Sequence, residues 1–295
     1  MSARELKELI GLLTSRPMPE NPTVALLRER FEKLGQLLPA PDDAVVEALS
    51  AGGVPAERVS APGAEAGDIL FLHGGGYVIG SPATHRNLAY NLSKATGCRV
   101  LVLDYRLAPE HPFPAAVDDA LAGYRWLVEN GAAPGRLAVA GDSAGGGLTV
   151  AALVAIRDAG LPLPAAAVAI SPWTDMQATG ASIEAKAAAD PIVEKSRLLE
   201  MARLYMNGAD PRIPLASPLH ADLAGLPPLL IHVGSAEILL DDAVRLAERA
   251  RAAGVETELE VAEDMIHVWH LFAPMLSEGR EAIGRAGAFL RRRMA

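Results

Sequence analysis

The sequence predicts an α/β protein: a mostly parallel central sheet with helices on both faces. Two observations carry this. Apolar runs of about 4–7 residues alternate down the chain with helical stretches of about 10–18, the rhythm of parallel strands and their crossover helices. The runs contain almost no polar residues, as expected of strands buried on both faces. At 295 residues the chain is long enough for one well-filled core, or one large domain with a small appendage. No internal repeat interrupts the pattern.

Residues 1–52 precede the alternation and read as a helical cap segment. Leu6, Leu9, Ile10 and Leu13 recur at helical spacing, as do Val24, Leu27, Phe31 and Leu34. Arg16–Pro22, with three prolines, breaks the two helices apart. A further helix is expected from about Asp42 to Ala51, ending at Gly52–Gly53. Such a preface has an apolar stripe and no sheet of its own, so it should pack onto another part of the chain, a lid over a cleft being one arrangement. The core, residues 53–175 and 218–295, starts near Ala56. Its strands are Ile69–Leu72, Arg99–Leu103, Leu137–Ala140, the AAAVAIS run after Pro164, Pro228–Val233 and Glu256–Val261. Helices are expected near Ala83–Thr96, Ala115–Asn130, from the GDSAGGG turn to Ala159, Asp241–Ala253 and Glu278–Arg292. Residues 176–217 break the rhythm with helices at Ala181–Ala189 and Val193–Met206 and a proline-interrupted loop. An insertion after a strand's carboxyl end lies where α/β proteins bind ligands, and it reads as the second half of the lid.

Composition narrows the function. Half the residues are apolar, 21% are charged, and the formal charge is −9, which makes nucleic acid and anionic membranes poor partners. Cys98 is the single cysteine; it excludes an internal disulfide framework and fits a reducing compartment, so a cytoplasmic location is expected. No Sec-type signal is visible at the amino terminus, and no run approaches 18 uncharged apolar residues.

The chemistry centres on VAGDSAGGG at Val139–Gly147. A strand, a very tight turn and a helix lift the Ser143 hydroxyl clear of the sheet edge, and Gly141 and Gly145 stand where larger side chains would collide with that strand and helix. A serine needs a neighbouring base, and the base an orienting carboxylate, which in this arrangement follow in the order nucleophile, acid, histidine. Among the downstream histidines, His267 follows a strand through the polar loop AEDMIH and is preferred. His270 looks drawn into a helix, His232 lies inside the strand PLLIHV, and His220 lacks a partner. Glu237 stands at the right distance past PLLIHV, and Asp241 is the alternative acid, although Asp241 and Asp242 also read as helix-start residues. Gly74, Gly75 and Gly76 follow the first buried strand and can turn two amides toward a developing oxyanion, with Ala144 supplying a third. No phosphate-loop or metal-ligand spacing is present, so no cofactor or metal is expected. His73 should hold the glycine loop by hydrogen bonds, and Arg106, paired with Glu110 or Asp104, should brace it.

These motifs converge. HGGGYVIGS at His73–Ser81, DYRLAPEHPFPAA at Asp104–Ala116, GDSAGGG at Gly141–Gly147 and SPWTD at Ser171–Asp175 together resemble the bacterial hormone-sensitive-lipase-like family of carboxylesterases. The likeness runs over about residues 20–290. It implies an α/β-hydrolase fold with a helical cap, Ser143 as nucleophile, His267 as base, and Gly75, Gly76 and Ala144 as oxyanion donors. In that family the acid usually stands as Asp in an Asp-Pro-Leu stretch; here the matching residues are Glu237-Ile238-Leu239, which change the acid and lose the proline and keep Asp241 open. GSAEILLDDA looks like members described as short-chain esterases or monoterpene lactone hydrolases. The substrate implied is a small ester, or a lactone, amide or thioester cut by the same machinery, and the cap's composition points to short or medium acyl chains. Many members dimerise through the edge strand near the carboxyl terminus, here Glu256–Val261.

Overall fold

The computed structural model describes residues 3–15 and 19–294. Eight strands form one sheet: β1 (Val45–Ala51), β2 (Val54–Ser60), β3 (Asp68–Leu72), β4 (Arg99–Leu103), β5 (Leu137–Asp142), β6 (Ala166–Ile170), β7 (Leu229–Gly234) and β8 (Thr257–Ala262). Their order is β1-β2-β4-β3-β5-β6-β7-β8. From β4 to β8 every pairing is parallel, and β1 and β2 add an antiparallel edge. The helices are α1 (Ala3–Thr14), α2 (Val24–Leu37), α3 (Pro82–Thr96), α4 (Ala115–Glu129), α5 (Ala144–Asp158), α6 (Ser182–Ala185), α7 (Lys195–Met206), α8 (Leu240–Ala252) and α9 (Ser277–Arg293).

The period of two along each strand divides the core. Leu70, Leu72, Leu101, Leu103 and Val139 pack on one face with Tyr124 of α4, Leu148 of α5 and Leu246 of α8. Ile69, Phe71, Val100, Val102 and Val168 pack on the other with Leu88 of α3 and Phe289 and Leu290 of α9. The chain passes from β3 to β4 on one side and then returns to place β5 on the other. The carboxyl ends of β3 and β5 therefore flank a topological switch point, where a crevice opens beyond the sheet.

Two expectations are corrected. The helix over Asp42–Ala51 is instead strand β1, paired in register with β2 from Val45↔Ser60 to Ala51↔Val54. Gly52 and Gly53, read as a helix stop, both have positive φ, +63° and +91°, as a two-residue hairpin turn requires. This moves Val45–Ala51 out of the cap segment expected over residues 1–52 and into the sheet. The helix expected over Ala181–Ala189 shrinks to α6, followed by turns. The break between α1 and α2 lies partly outside the described residues, at Arg16–Met18; on its far side Thr23 caps α2 by accepting from the Leu26 N–H at 3.2 Å.

Additional helices, outside the alternation of strands and crossover helices, form a cap. Leu9 of α1 is fully buried against Met265, Ile266 and Trp269, the residues around His267. Glu5 accepts from the backbone and hydroxyl of Ser277 at the start of α9, placing a carboxylate at the positive end of that helix.

Candidate active site

Ser143 follows β5 directly, with φ 55° and ψ −121°, a conformation that costs a non-glycine residue energy and persists only where the surroundings fix it. They do so here. The Ser143 N–H donates to Ile170 O at 2.8 Å, and the Ser143 carbonyl accepts from Trp173 and Gly147. A Cβ at Gly145 would overlap the Leu72 carbonyl, and one at Gly141 would overlap Gly145 O, so α5 can approach β3 this closely only with glycine at both positions.

Three side chains from separate loops meet there. The Ser143 hydroxyl donates to His267 Nε2 at 2.9 Å, and His267 Nδ1–H donates to Glu237 Oε2 at 2.6 Å. Glu237 is fully buried. Its other oxygen accepts from the Gly234 N–H at 2.6 Å and the Ser171 hydroxyl at 2.8 Å. Asp241, the alternative acid, is instead occupied at the start of α8, accepting from the Ser182 N–H at 2.9 Å. Asp242, also fully buried, accepts from the Thr174 and Asp175 N–H groups and lies against Arg245. Burial pushes its carboxyl up to about 6, against the pull of those amides and the guanidinium.

On the other side of Ser143, the Gly74 N–H donates to Asp142 Oδ1 at 3.0 Å. Neither the Gly75 nor the Gly76 N–H has an acceptor among the described residues. The Ala144 N–H lies in the first turn of α5, where a helix provides no partner. These three amides belong to the loop and helix start flanking the switch point.

A profile of the alpha/beta hydrolase fold family matches residues 69–271. An acetyl-hydrolase of Streptomyces hygroscopicus is 52% identical over 260 residues, covering 88% of this chain and 86% of its own. A crystal structure of an esterase from the bacterial hormone-sensitive lipase family is 53% identical and superposes with a TM-score of 0.97 over 100% of both chains. EstE5, in a crystal soaked with p-nitrophenyl butyrate, is 50% identical with a TM-score of 0.96 over 99% of both chains. The chain belongs to the bacterial hormone-sensitive-lipase-like family of α/β-hydrolases.

The hydrolase surrounds its site with supports that local sequence did not announce. Ser171, at φ 45°, donates a hydrogen bond from its hydroxyl to Glu237 and accepts from the Val268 N–H at 3.1 Å, so one hydroxyl joins Glu237 to the loop carrying His267. Its place in SPWTD and its backbone strain are the only local signals. His85 lies beside Asp142, Nε2 to Oδ1 at 3.2 Å. His73 stacks on Tyr105 with ring centroids 4.2 Å apart, and Tyr105 donates to the His73 carbonyl at 2.7 Å. His73 itself contacts Gly74 O at 2.8 Å, the loop-holding role expected of it, and burial drives it down to about 3, with His85 adding to the effect.

Arg106 does not pair with Glu110 or Asp104. It holds Asp119 of α4 in a bidentate contact, the closest at 2.7 Å. Glu110 is taken by Arg28 of α2, which also donates to the carbonyls of Val78 (2.9 Å) and Ala108 (3.0 Å). From α7, Tyr205 stacks on Tyr77 at 3.9 Å, and Met201 fills the space where a Gly76 Cβ would stand. The histidines set aside are accounted for: His232 and His270 are fully buried and bonded to each other at 3.0 Å, while His220 sits on an exposed turn. Among the described residues no three His, Cys, Asp or Glu side chains gather as a metal site.

Burial works against a charged His267, but Glu237, by charge and hydrogen bond, outweighs it with help from Asp190 and Asp142, and the imidazole is held above its ordinary value. The arrangement can take a proton from Ser143 and keep the resulting imidazolium stable.

Proposed function

We propose that this carboxylic ester hydrolase works through Ser143 as nucleophile, His267 as general base and acid, and Glu237 as the orienting carboxylate, with the Gly75, Gly76 and Ala144 amides receiving the oxyanion. The continuous hydrogen-bonded line from Ser143 Oγ through His267 to Glu237 carries this reading. Ser143 Oγ bonds to the ester carbonyl carbon as its proton passes to His267 Nε2, and the carbonyl π pair moves to oxygen, facing the loop amides. Collapse breaks the bond to the alcohol oxygen, which leaves with the proton from His267. Water then attacks the acyl-enzyme by the same route, returning free Ser143 and a carboxylic acid.

The substrate reading is a short- or medium-chain ester. Met201 reaches from α7 onto the oxyanion loop, which limits room beside the reacting carbonyl, and EstE5 was soaked with a butyrate ester. We assign the cap to the helical part of residues 1–52 and to residues 176–217. The edge position of β8 supports a homodimer across that strand, testable by sedimentation velocity. The lone cysteine, buried and free, supports a cytoplasmic location. No helix among the described residues is long and apolar enough to cross a membrane.

Ser143→Ala should lower kcat on p-nitrophenyl butyrate by about 10^4-fold or more with the fold intact by circular dichroism. A p-nitrophenyl series from acetate to palmitate should peak at or below the medium chains. Wild-type turnover in the variant overturns the nucleophile, and a maximum at palmitate overturns the substrate class.

A further inference from the structure

The most informative group outside the proposed triad is Asp190, from the insertion after β6. It is 9% exposed, and its hydrogen-bond partners among the described residues are backbone amides. Its Oδ1 accepts from the Ile192 and Val193 N–H groups, both at 2.9 Å, closing a turn that prevents the carboxylate from swinging away. Its Oδ2 accepts from the Ile238 N–H at 2.9 Å. Ile238 follows Glu237, so this bond fixes the peptide on the carboxyl side of the proposed acid, while Gly234 and Ser171 fix its carboxylate.

A tether alone does not require a charge at this position. Ser182 of α6 already ties the insertion to the same loop, donating to Ile238 O at 2.6 Å and accepting from the Asp241 N–H at 3.0 Å. Asp190 differs from Ser182 in placing a carboxylate on the peptide next to Glu237, and that carboxylate favours the charged form of His267. The charged groups acting on that imidazole come from three elements: Glu237 from the loop after β7, Asp142 from the end of β5, and Asp190 from the insertion. Asp142 is committed to His85 and the Gly74 N–H. Asp190 is held only by backbone amides.

We propose that Asp190 is a positioning residue of the esterase, which sets the peptide following Glu237 and, from the insertion, adds a further negative charge that stabilises the imidazolium formed when Ser143 loses its proton. This rests on the triad reading. It also means that the insertion takes part in the acid–base machinery as well as covering the cleft.

The test compares Asp190→Asn, Asp190→Ala and Ser182→Ala in the full-length enzyme, with p-nitrophenyl butyrate as probe. The readouts are kcat, KM, the pH profile of kcat/KM and Tm. Asp190→Asn should lower kcat by about 3- to 10-fold with little change in KM, and move the acid-side limb of kcat/KM down by about half a pH unit, because the charge favouring protonated His267 is gone. Asp190→Ala should show the same shift with a larger loss of kcat. Ser182→Ala weakens the neighbouring tether and keeps the charge, so its acid-side limb should stay in place. An unmoved limb in Asp190→Asn overturns the proposal, as does an equal shift in Ser182→Ala. Failure of the triad reading is read separately, from turnover surviving Ser143→Ala.

Discussion

On the His267 side of Ser143 the fold uses fully buried polar contacts. Glu237 has no exposed surface and takes bonds from Ser171, Gly234 and His267, and α1 adds an apolar buttress through Leu9. On the glycine-loop side the inner contact, Gly74 to Asp142, is also buried, but the outer clamp is wet. The Arg28 side chain is 33% exposed and its partner Glu110 is 54% exposed. The difference follows from what each side has to do. The imidazole must carry a charge in a low-dielectric setting, so each polar atom around it needs a fixed partner. In the proposed mechanism the glycine loop offers neutral amides and must only keep them aimed. Substitutions should therefore cost most at the acid, less at its hydroxyl support, and least at the outer clamp.

Glu237→Gln is the largest expected effect. The site presents donors to both carboxylate oxygens, and an amide offers only one acceptor. With its oxygen kept toward the Gly234 N–H, its NH2 faces His267 Nδ1 and selects the tautomer whose Nε2 already bears hydrogen and cannot take the Ser143 proton. We expect kcat to fall by about 10^3- to 10^4-fold. His267 is held above its ordinary value chiefly by Glu237 against burial, and the working base is its neutral form. Wild-type kcat/KM should therefore fall as pH drops through that raised value, and the residual activity of the variant should keep its acid-side limb at lower pH. Asp241→Ala serves as control, removing a bond to Ser182 with about 1 kcal/mol of stability and less than about a twofold change in kcat. Collapse of kcat in the aspartate variant instead would assign the acid to the wrong carboxylate.

Ser171→Ala comes next. It deletes a donor to Glu237 and the acceptor of the Val268 N–H, leaving a buried amide unpaired at about 1–3 kcal/mol. We expect kcat to drop by about 10- to 100-fold with KM nearly constant, since orientation of the base is lost and substrate contacts are kept. Equal losses in Ser171→Ala and Glu237→Gln would mean that the hydroxyl, rather than the carboxylate, governs the histidine.

The same contrast explains what could be read in advance. β4 was legible to the residue, because Val100–Leu103 is a run of apolar side chains between a helix and a charged loop, opened by the exposed Arg99, and burial on both faces leaves a compositional trace. Ser143, Glu237 and His267 could be singled out because each follows a strand end, and the fold brings the three side chains within hydrogen-bond reach of one another; the roles given to them are those proposed above. β1 was not. It is an edge strand with Val45 and Val46 exposed, so it lacks that trace, and Gly52–Gly53 serves a helix stop and a hairpin equally well. The pairs Arg106–Asp119, Arg28–Glu110 and Asp190–Ile238 join residues 13, 82 and 48 positions apart. Polar partners at such separations have no local pattern; only the packed chain specifies them.

Arg28→Met is the smallest expected effect and the sharpest test of the asymmetry. The substitution keeps a long apolar stem and removes the donors to Val78 O and Ala108 O together with the ion pair to Glu110. The ion pair is solvated and contributes little by itself. The two carbonyl bonds, half-exposed, contribute about 1 kcal/mol each, so Tm should fall by about 2–8 °C for a protein of this size. Val78 donates back to Gly75 O at 3.1 Å, so the loosened carbonyl lies one turn from the amides proposed to receive the oxyanion. The inner bond from Gly74 to Asp142 is untouched, and kcat/KM should drop by only about 3- to 10-fold, with the acid-side limb unmoved because no group acting on His267 has changed. If Arg28→Met instead costs as much as Ser171→Ala, the glycine loop is no more tolerant than the histidine loop, and the division between a charged side that must be dry and an amide side that need not be does not hold.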